Sequence, residues 1–332
     1  MNNKVKIALI GIGHDHATQA FMSLARLTDH FDIAGYTLPE NEKELFPERM
    51  EVLEGFKEMT LNEILNDTSI EAVAVETEDR YLTKYALMAA LHKKHIQMDK
   101  PGGFDLKEYE KLIGILKENQ TVFHIGYMYR YNAFVKELIK EAKQGELGEI
   151  VSVEAQMDCH YSLKKRKWLK NIPGGMMLYL GCHLVDIILQ IQGEPKNIIP
   201  LSKSTGVEGV TEKDYGFAVL EYEKGNSFAK AVMMEFGGFA RRQLVVTGSK
   251  KTVELKPLEW YSDKDNLYTV KTEWDRHDWG NSGDVSQSQP QNRYDGMITA
   301  FARMVKGEIQ NPYTYDYELT LYKTVLKCCG LI

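Results

Sequence analysis

Two short segments contain the side chains that are best suited to acid–base chemistry. Lys100 lies in Met98-Asp99-Lys100-Pro101, directly after a short apolar run, and offers a cation that can stabilise a negatively charged oxygen. His183 lies in an apolar stretch after Gly174-Gly175, and its imidazole, with an ordinary pKa near ~6.5, can accept and return a proton around neutral pH. Taken singly, each segment has a plainer interpretation: a surface lysine beside a turn and a histidine of the core.

The stretch around His183 also places other polar side chains at helical spacing. If residues 176–192 form one helix, Tyr179 lies four positions before His183 on the same face, and Asp186 lies three positions after it. Both side chains can then neighbour the imidazole, and Gly181 leaves room for the close approach of backbone or ligand. We take Tyr179 and His183, with the lysine described above, as the candidate catalytic residues.

A glycine turn near the N-terminus predicts a site for a dinucleotide. Gly11-Ile12-Gly13-His14 follows the apolar run from Val5 to Ile10, which indicates a strand buried on both faces. Gly11 permits a tight turn, Gly13 lets a pyrophosphate approach the backbone, and the following helix supplies N–H donors at its N-terminus. His16 replaces the third glycine of the usual pattern. A strand-to-helix turn without a ligand is the alternative.

The end of the second expected strand bears on which dinucleotide is bound. Thr37 stands where an acid usually binds the ribose diol, so that carboxylate is missing. No arginine is present at this position to bind a 2′-phosphate, and Glu40 and Glu42 follow. We therefore expect NAD in preference to NADP.

Composition excludes several other classes of function. The 332 residues carry a formal net charge of -6, which does not fit a protein that binds nucleic acid. No apolar run approaches the ~18 residues of a membrane span, so we expect no membrane partner. The four cysteines lack zinc spacing, and we expect buried, reduced thiols in the cytoplasm. His14, Asp15 and His16 are consecutive turn residues, which rarely converge on one ion, so we expect no metal.

Strands and helices alternate through the first part of the chain, which predicts an α/β fold with a doubly wound Rossmann domain over residues 1–126. Its strands are expected at 5–10, 31–36, 72–75, 96–98 and 122–126, and its helices at 17–27, 61–65, 81–92 and 106–118. Residues 127–332 predict an α+β domain with a mostly antiparallel sheet. Its strands are expected at 150–157, 217–222, 227–236, 242–247 and 252–255, its helices at 133–142, 176–192, 297–305 and 318–328, and a polar loop at 281–292.

Taken together, these segments resemble the Gfo/Idh/MocA family, which includes glucose–fructose oxidoreductases and inositol dehydrogenases. The resemblance extends over nearly the whole chain, and its specificity lies in the order of the motifs. They are the glycine turn, Thr77-Glu78-Asp79, Asp99-Lys100-Pro101, Gly126-Tyr127-Met128-Tyr129-Arg130-Tyr131, Gly145-Glu146-Leu147-Gly148-Glu149-Ile150 and the Gly-Gly…Gly-x-His-x-x-Asp stretch that contains His183.

The resemblance implies roles for these residues and an assembly. Lys100 would hold the reacting oxygen beside the nicotinamide, and His183 would take the hydroxyl proton as a hydride leaves the carbon for C4 of the ring. Homodimers or homotetramers would pack through the C-terminal sheet. The implied cofactor-binding residues are Gly11, Ile12, Gly13, His14, Thr37, Thr77, Asp79, Asp99, Lys100 and Pro101, and the implied substrate-binding residues are Lys100, Tyr129, Arg130, Trp168, Tyr179 and His183.

One departure from the family pattern leaves the reaction open. The family usually has an aspartate four residues before the histidine, where this chain has Tyr179. A phenol, with an ordinary pKa near ~10, does not supply the charge of that carboxylate. Tyr179 could itself be an acid–base residue beside Lys100, could reshape the pocket for another substrate, or could mark impaired dehydrogenase activity.

Three functions are therefore compared. The first is an NAD(P)-dependent dehydrogenase of a sugar, inositol or related polyol, which accounts for Lys100 together with His183 in an expected two-domain cleft. The second is an NAD-dependent glycoside hydrolase of the same fold, which works by transient oxidation and elimination and is motivated by Tyr179. The third is a non-catalytic sensor of NAD or a sugar, motivated by Tyr179 and Thr37.

Overall fold

The computed structural model describes residues 4–276 and 278–332, which divide into two compact units. The first unit extends to Met128 and also includes Tyr294–Tyr322, and the second consists of Tyr129–Arg293 and Lys323–Ile332. Within the described part of the chain, no helix has the combination of length and apolar character that crossing a membrane requires.

A parallel sheet forms the centre of the first unit. Its strands are β1 (Val5–Ile10), β2 (Phe31–Thr37), β3 (Ala72–Val75), β4 (His95–Met98) and β5 (Phe123–Ile125), and its early helices are α1 (Ala17–Arg26), α2 (Glu42–Leu45), α3 (Leu61–Asn66), α4 (Leu82–Leu91) and α5 (Leu106–Asn119). The strand order is β2-β1-β3-β4-β5, and each described pair is parallel. β1 and β3 are runs of almost wholly buried apolar residues, as expected for strands covered on both faces.

The register brings the carboxyl ends of the strands to one edge of this sheet. Ile10 at the end of β1 pairs with Thr37 in β2 and with Val75 in β3, and Val75 pairs with Met98 in β4. The segments that follow these strands therefore emerge side by side, where ligands of doubly wound sheets bind. The predicted Rossmann architecture is confirmed.

Two helix starts in this unit are fixed by side-chain caps. The hydroxyl of Thr60 accepts the N–H of Glu63 at 3.2 Å, while the Glu63 carboxylate accepts the N–H of Thr60 at 2.7 Å, which is a complete capping box for α3. Asp105 accepts the N–H groups of Lys107 and Glu108 at the start of α5. These caps satisfy donors that a helix start otherwise leaves without partners.

Residues 294–322 return to the first unit, although the sequence-based division placed everything after residue 126 in one domain. This segment contains α9 (Asp295–Val305) and the start of α10 (Tyr315–Cys328). Arg26 of α1 binds Asp295, and the ring of Tyr322 stacks on Tyr109 at 4.2 Å between centroids. These contacts join residues more than 200 positions apart, so periodicity along the chain gives no sign of them.

The second unit contains further helices and two sheets. They are α6 (Ala133–Lys143), α7 (Leu163–Trp168), α8 (Cys182–Gln192), β6 (Ile150–Gln156), β7 (Asn197–Pro200), β8 (Tyr215–Tyr222), β9 (Gly225–Val232), β10 (Gln243–Gly248), β11 (Thr252–Leu255), β12 (Trp260–Tyr261), β13 (Asn266–Tyr268), β14 (Val270–Trp274), β15 (Asp284–Gln287) and β16 (Gln291–Asn292). One sheet has the order β15-β14-β11-β10-β6-β9-β8-β7, and a smaller one β12-β13-β16. β6 pairs with β9 in parallel and the other described pairs are antiparallel, which confirms the predicted sheet type.

Two local expectations for this unit need revision. The strands expected at 217–222 and 227–236 pair as a hairpin, but Tyr222 pairs with Gly225, so the loop between them is only Glu223-Lys224. The polar loop expected at 281–292 instead contains β15 and β16. All four residues of β15 are exposed at the edge of the sheet, so the alternation of apolar and polar residues that marks a half-buried strand is missing.

Candidate active site

The glycine turn follows β1 and packs tightly against the segment after β3. Gly11 has φ +87°, and a Cβ added to it would lie 2.8 Å from the backbone N and Cα of Thr77. A Cβ on Gly13 would lie 2.7 Å from the backbone N of Glu78. Backbone packing alone therefore requires both glycines, so their presence does not by itself distinguish a dinucleotide site from a turn without a ligand.

A carboxylate of the chain itself is bound at this turn. Glu42, the first residue of α2, is fully buried, and its two oxygens accept the N–H groups of Ile12 at 2.9 Å and Gly13 at 3.1 Å. Burial raises the pKa of Glu42 to about 7, although both N–H groups act in the opposite direction. The two donors thus converge on one anionic group, which is the donor geometry that a phosphate requires. A phosphate can use them once Glu42 has moved away.

Arg49 holds the other side of the same turn. Its Nη1 donates to the carbonyl oxygens of Ile12 at 2.8 Å and His14 at 2.7 Å. The segment after β2 therefore binds both the donors and the acceptors of the turn. From the sequence alone, Glu42 is only an acid near the missing ribose carboxylate, and Arg49 belongs to no motif. Thr37, the expected cofactor contact, is buried, and its carbonyl oxygen accepts the N–H of Gly11 at 2.8 Å.

His14 lies between two buried carboxylates. Its Nε2 is 3.5 Å from Oδ1 of Asp79, and its Nδ1 is 3.3 Å from Oδ2 of Asp99. Burial alone lowers the pKa of His14, but Asp99 and Asp79 together raise it to about 10. The backbone N–H of His16 also lies 3.1 Å from Nδ1, which can either accept that hydrogen or donate its own to Asp99. The two flanking carboxylates favour the protonated ring, so Nδ1 donates to Asp99.

Lys100 is the second residue after β4 and is only 1% exposed, so it is not the surface lysine of the plainer interpretation. Its backbone N–H donates to Oδ1 of Asp99 at 2.7 Å, and the same oxygen lies 3.2 Å from Nδ1 of His16. Burial opposes ionisation of Asp99, but His14 and His16 hold its pKa well below the usual range. The structure therefore brings Asp79, Asp99 and Lys100 to the edge of the sheet together with the glycine turn.

Each of His14, His16 and Asp99 offers an atom of a type that binds metals, and these atoms lie within 4.8 Å of one another. Asp99 already accepts the N–H of Lys100 through one oxygen, and Nδ1 of His14 has a partner in either protonation state. The absence of a metal at this turn stays a prediction.

His183 is the second residue of α8 and is 1% exposed. The five residues before α8, Met177–Gly181, form a π-helical turn where the sequence predicted an α-helix. A π turn closes its hydrogen bonds over one more residue than an α turn, so the four-residue spacing does not keep Tyr179 in α-helical register with His183. The extent of the predicted helix is correct, but its geometry at Tyr179 is not.

Gly181 was expected to leave room for backbone or ligand. In the structure, Sδ of Met177 lies 2.5 Å from the position of a Cβ on Gly181. The space therefore accommodates the side chain of Met177.

Tyr179 and Trp168 are in contact in the second unit. Their rings meet edge to face with centroids 5.5 Å apart, and Tyr179 is 7% exposed. Nζ of Lys165 lies 3.6 Å from the centre of the Trp168 ring and 4.9 Å from that of Tyr179, within the range of cation–π attraction. Two of the expected substrate-side residues thus occur together, accompanied by Lys165.

Tyr129 connects His183 to a buried charged network. Its ring meets the imidazole edge to face at 5.2 Å, and its hydroxyl donates to Glu259. Arg242 and Arg293 bind the same carboxylate at 2.7 and 2.9 Å. Burial and the charge of Glu259 raise the pKa of Tyr129, so its phenol stays protonated. Glu259, Arg242 and Arg293 belong to no motif and lie more than 100 residues from Tyr129, so sequence spacing could not reveal them.

Arg130 forms an ion pair inside the second unit. Its Nε and Nη2 donate to the two carboxylate oxygens of Asp186 at 2.9 and 2.8 Å, and both side chains are buried. Gln190 donates to Asp186 as well, at 3.0 Å. Asp186, expected as a neighbour of the imidazole, thus gives both oxygens to Arg130. The expected substrate-side role of Arg130 stays a prediction.

Two family models together match most of the chain. Residues 5–127 match the model described as "Oxidoreductase family, NAD-binding Rossmann fold", and residues 134–254 match "GFO/IDH/MocA C-terminal domain". The chain belongs to the Gfo/Idh/MocA oxidoreductase family. This finding confirms the predicted resemblance and the NAD-binding Rossmann domain.

Individual relatives are distant. A 2,7-anhydro-N-acetylneuraminate hydratase of Escherichia coli is 23% identical over 77% of this chain and 68% of its own length. A myo-inositol 2-dehydrogenase of Thermotoga maritima is 21% identical over 67% of this chain and 66% of its own length. Among solved structures, a levoglucosan dehydrogenase in complex with NADH and levoglucosan has a TM-score of 0.78 at 16% identity, covering 98% of this chain and 97% of that one. Likeness at that identity shows the shared fold.

Proposed function

We propose that this protein is an NAD(P)-dependent oxidoreductase that transfers a hydride between the nicotinamide and a hydroxyl-bearing carbon of a sugar, inositol or related polyol. The observation that carries the proposal is the burial of Lys100 beside Asp99, at the ligand-binding edge of an NAD-binding Rossmann sheet. The dehydrogenase relatives, named for myo-inositol and levoglucosan, support this class of substrate.

The reaction assigns a separate task to each of the two main candidates. When bound, the nicotinamide supplies the acceptor or donor for the hydride. Lys100 binds the reacting oxygen and stabilises its developing negative charge. An unprotonated ring nitrogen of His183 takes the hydroxyl proton during oxidation and returns it during reduction. The carbinol thus loses one hydride and one proton, which balances its conversion to a carbonyl.

The cofactor would be held by groups at the edge of the first unit's parallel sheet where the carboxyl ends of the strands lie. The N–H groups of Ile12 and Gly13 would bind a phosphate after release of Glu42. Contacts from His14, Thr37, Thr77, Asp79, Asp99 and Pro101 are part of the proposal, and NAD is preferred to NADP because the segment after β2 presents acids. Tyr129, Trp168 and Tyr179 would contact the substrate.

A second candidate is hydrolysis or elimination on a glycoside with NAD retained. It is favoured by the phenol of Tyr179 beside Trp168 and by the hydratase among the relatives. Net NADH formation separates the two, because transient oxidation returns the hydride and yields none.

The proposal extends to assembly and location. Val151, Ile199 and Val285 are exposed apolar residues of the larger sheet, which supports a homodimer or homotetramer through that sheet, testable by light scattering. All four cysteines are buried thiols, which supports a reducing cytoplasm.

The direct test uses absorbance at the NADH band with NAD or NADP and a panel of inositols, aldoses and anhydrosugars. Lys100→Met should lower kcat/KM at least ~100-fold, since removing an electrostatic stabiliser costs about 3 kcal/mol. Lys107→Met is the matched control, because Lys107 is an exposed lysine of α5. Undiminished turnover of a folded Lys100→Met protein would remove the role assigned to Lys100. Dinucleotide binding without turnover of any compound would favour the sensor.

A further inference from the structure

Five ionisable side chains share a buried region at the edge of the first unit's sheet. His14, Glu76, Asp79, Asp99 and Lys100 are each at most 6% exposed. We propose that His14 is a positioning residue whose ring, held between Asp79 and Asp99, fixes the Asp99 carboxylate against the backbone of Lys100. The inference rests on the proposed role of Lys100, because fixing this segment matters to the reaction only if Lys100 takes part in it.

Both carboxylate oxygens of Asp99 are held by neighbouring groups. One of its oxygens faces Nδ1 of His14 at 3.3 Å, and the other accepts the N–H of Lys100 at 2.7 Å. A carboxylate is planar, so anchoring one oxygen orients the other. His14 thereby helps to orient the Asp99 oxygen that accepts the backbone N–H of Lys100.

His14 is itself anchored through its ring and its backbone. Its far nitrogen, Nε2, faces Asp79 at 3.5 Å, and its backbone N–H donates to the carbonyl oxygen of Glu76 at 2.9 Å. Asp79 follows β3 and Asp99 follows β4. The imidazole therefore joins the loops after two neighbouring strands to the glycine turn after β1.

The buried charges around His14 balance one another, as burial requires, because an unpaired buried charge is costly. Asp79 and Asp99 are two anions, and Lys100 together with a protonated His14 supplies two cations. Burial, followed by the charge of Asp99, raises the pKa of Glu76 well above its ordinary value, so Glu76 stays neutral. Burial lowers the pKa of His16, which therefore leaves the cationic role to His14.

Nuclear magnetic resonance of the full chain tests the charge state directly. With ¹⁵N-labelled histidine, both ring nitrogens of His14, assigned by loss of their signals in His14→Gln, should resonate as imidazolium from about pH 6 to about pH 9. The groups that face this ring and share its titration are Asp79, Asp99, Glu76, His16 and Lys100. Asp79→Asn should lower the pH at which His14 loses its proton by at least ~1 unit. A neutral ring at pH 7 would overturn the proposal.

The backbone amide of Lys100 reports whether His14 positions Asp99. In ¹⁵N-lysine protein, His14→Gln should shift the backbone amide signal of Lys100 and speed its hydrogen exchange at least ~10-fold, because Asp99 keeps the contact of His16 but loses that of the protonated His14 ring. The control is His92→Gln, which replaces an exposed histidine at the end of α4. If His14→Gln fails to fold, Asp79→Asn serves the same purpose. An unchanged Lys100 amide in a folded variant contradicts the proposal.

Two further outcomes are distinguishable. Stoichiometric zinc in the purified protein that His14→Gln removes would replace this account with a metal site. With a substrate from the panel and saturating dinucleotide, His14→Gln should lower kcat while the KM for that substrate changes less than ~2-fold. If Lys100→Met proves fully active while the amide effects stand, the proposed function fails and the structural link between His14 and Lys100 remains.

Discussion

At the glycine turn, a single glutamate decides how a dinucleotide can bind. Glu42 takes both N–H donors of Ile12 and Gly13 and is fully buried there. A phosphate needs the same donors, so the two anions compete for one position. The free energy of dinucleotide binding therefore includes the free energy of moving Glu42 from this turn into water.

Replacing this residue should strengthen dinucleotide binding. Glu42→Ala removes the competitor, and hydrogen bonds to a charged group contribute about 1.5–3 kcal/mol net, which corresponds to a roughly 10- to 150-fold lower Kd for NAD by calorimetry. Glu44→Ala, an exposed position in the same short helix, is the control and should leave the Kd unchanged. Weaker binding by Glu42→Ala would show instead that Glu42 contacts the dinucleotide.

The same residue predicts a dependence on pH. The pKa of Glu42 is about 7 in its buried position against an ordinary 4.5, so protonation favours the buried position and ionisation favours release. NAD affinity should therefore rise as the pH increases from about 6 to about 8. The charged neighbours Arg49 and Glu78 remain in Glu42→Ala, in which this rise should disappear.

For single residues, the sequence identifies which side chains can take part in the reaction better than it identifies which residues contact one another. Lys100 and His183 could be chosen because their residue types and neighbouring motifs match a reaction. The partners of these residues could not be chosen, because Glu259 and Arg242 reach Tyr129 only after the chain has folded. Glu42 follows β2 by five residues, and its position on the turn depends on the path of the intervening loop.

The helical stretch around His183 shows what periodicity predicts at the level of an element. Spacing of apolar residues predicts a helix over 176–192, and that extent is correct. The π turn at Met177–Gly181 is not encoded in such spacing, since it depends on how one turn packs against its surroundings. Buried parallel strands such as β3 were likewise predictable from continuous apolar runs, whereas the exposed edge strand β15 was not.

Two glycine substitutions test the described packing of this element. Gly181→Ala should lower the free energy of unfolding by about 1–3 kcal/mol, because the new Cβ meets the side chain of Met177. Gly114→Ala in α5 should raise it by about 0.5–1 kcal/mol, because a Cβ there meets nothing within 4 Å and alanine favours helix. Denaturant unfolding monitored by circular dichroism measures both. Equal effects of the two substitutions would contradict the packing at the π turn.

Across the whole molecule, fold class was the most predictable property. Alternating strands and helices specify a Rossmann domain, and long polar–apolar strands specify the antiparallel sheet that follows. The return of residues 294–322 to the first unit was not predictable, because it depends on contacts such as Tyr109 with Tyr322 that no local pattern records. The family motifs predict the order of the functional segments along the chain. The residues that surround those segments are known only from the structure.

The central claim is that a hydride moves between a carbinol carbon and the dinucleotide. The most direct measurement uses a polyol or sugar deuterated at its carbinol carbons, incubated with the protein and NAD, followed by mass spectrometry of the recovered dinucleotide. The account predicts one deuterium per reduced dinucleotide, formed in equal amount to the oxidised product and lost in Lys100→Met. Consumption of the substrate with no deuterium in the recovered dinucleotide would contradict it.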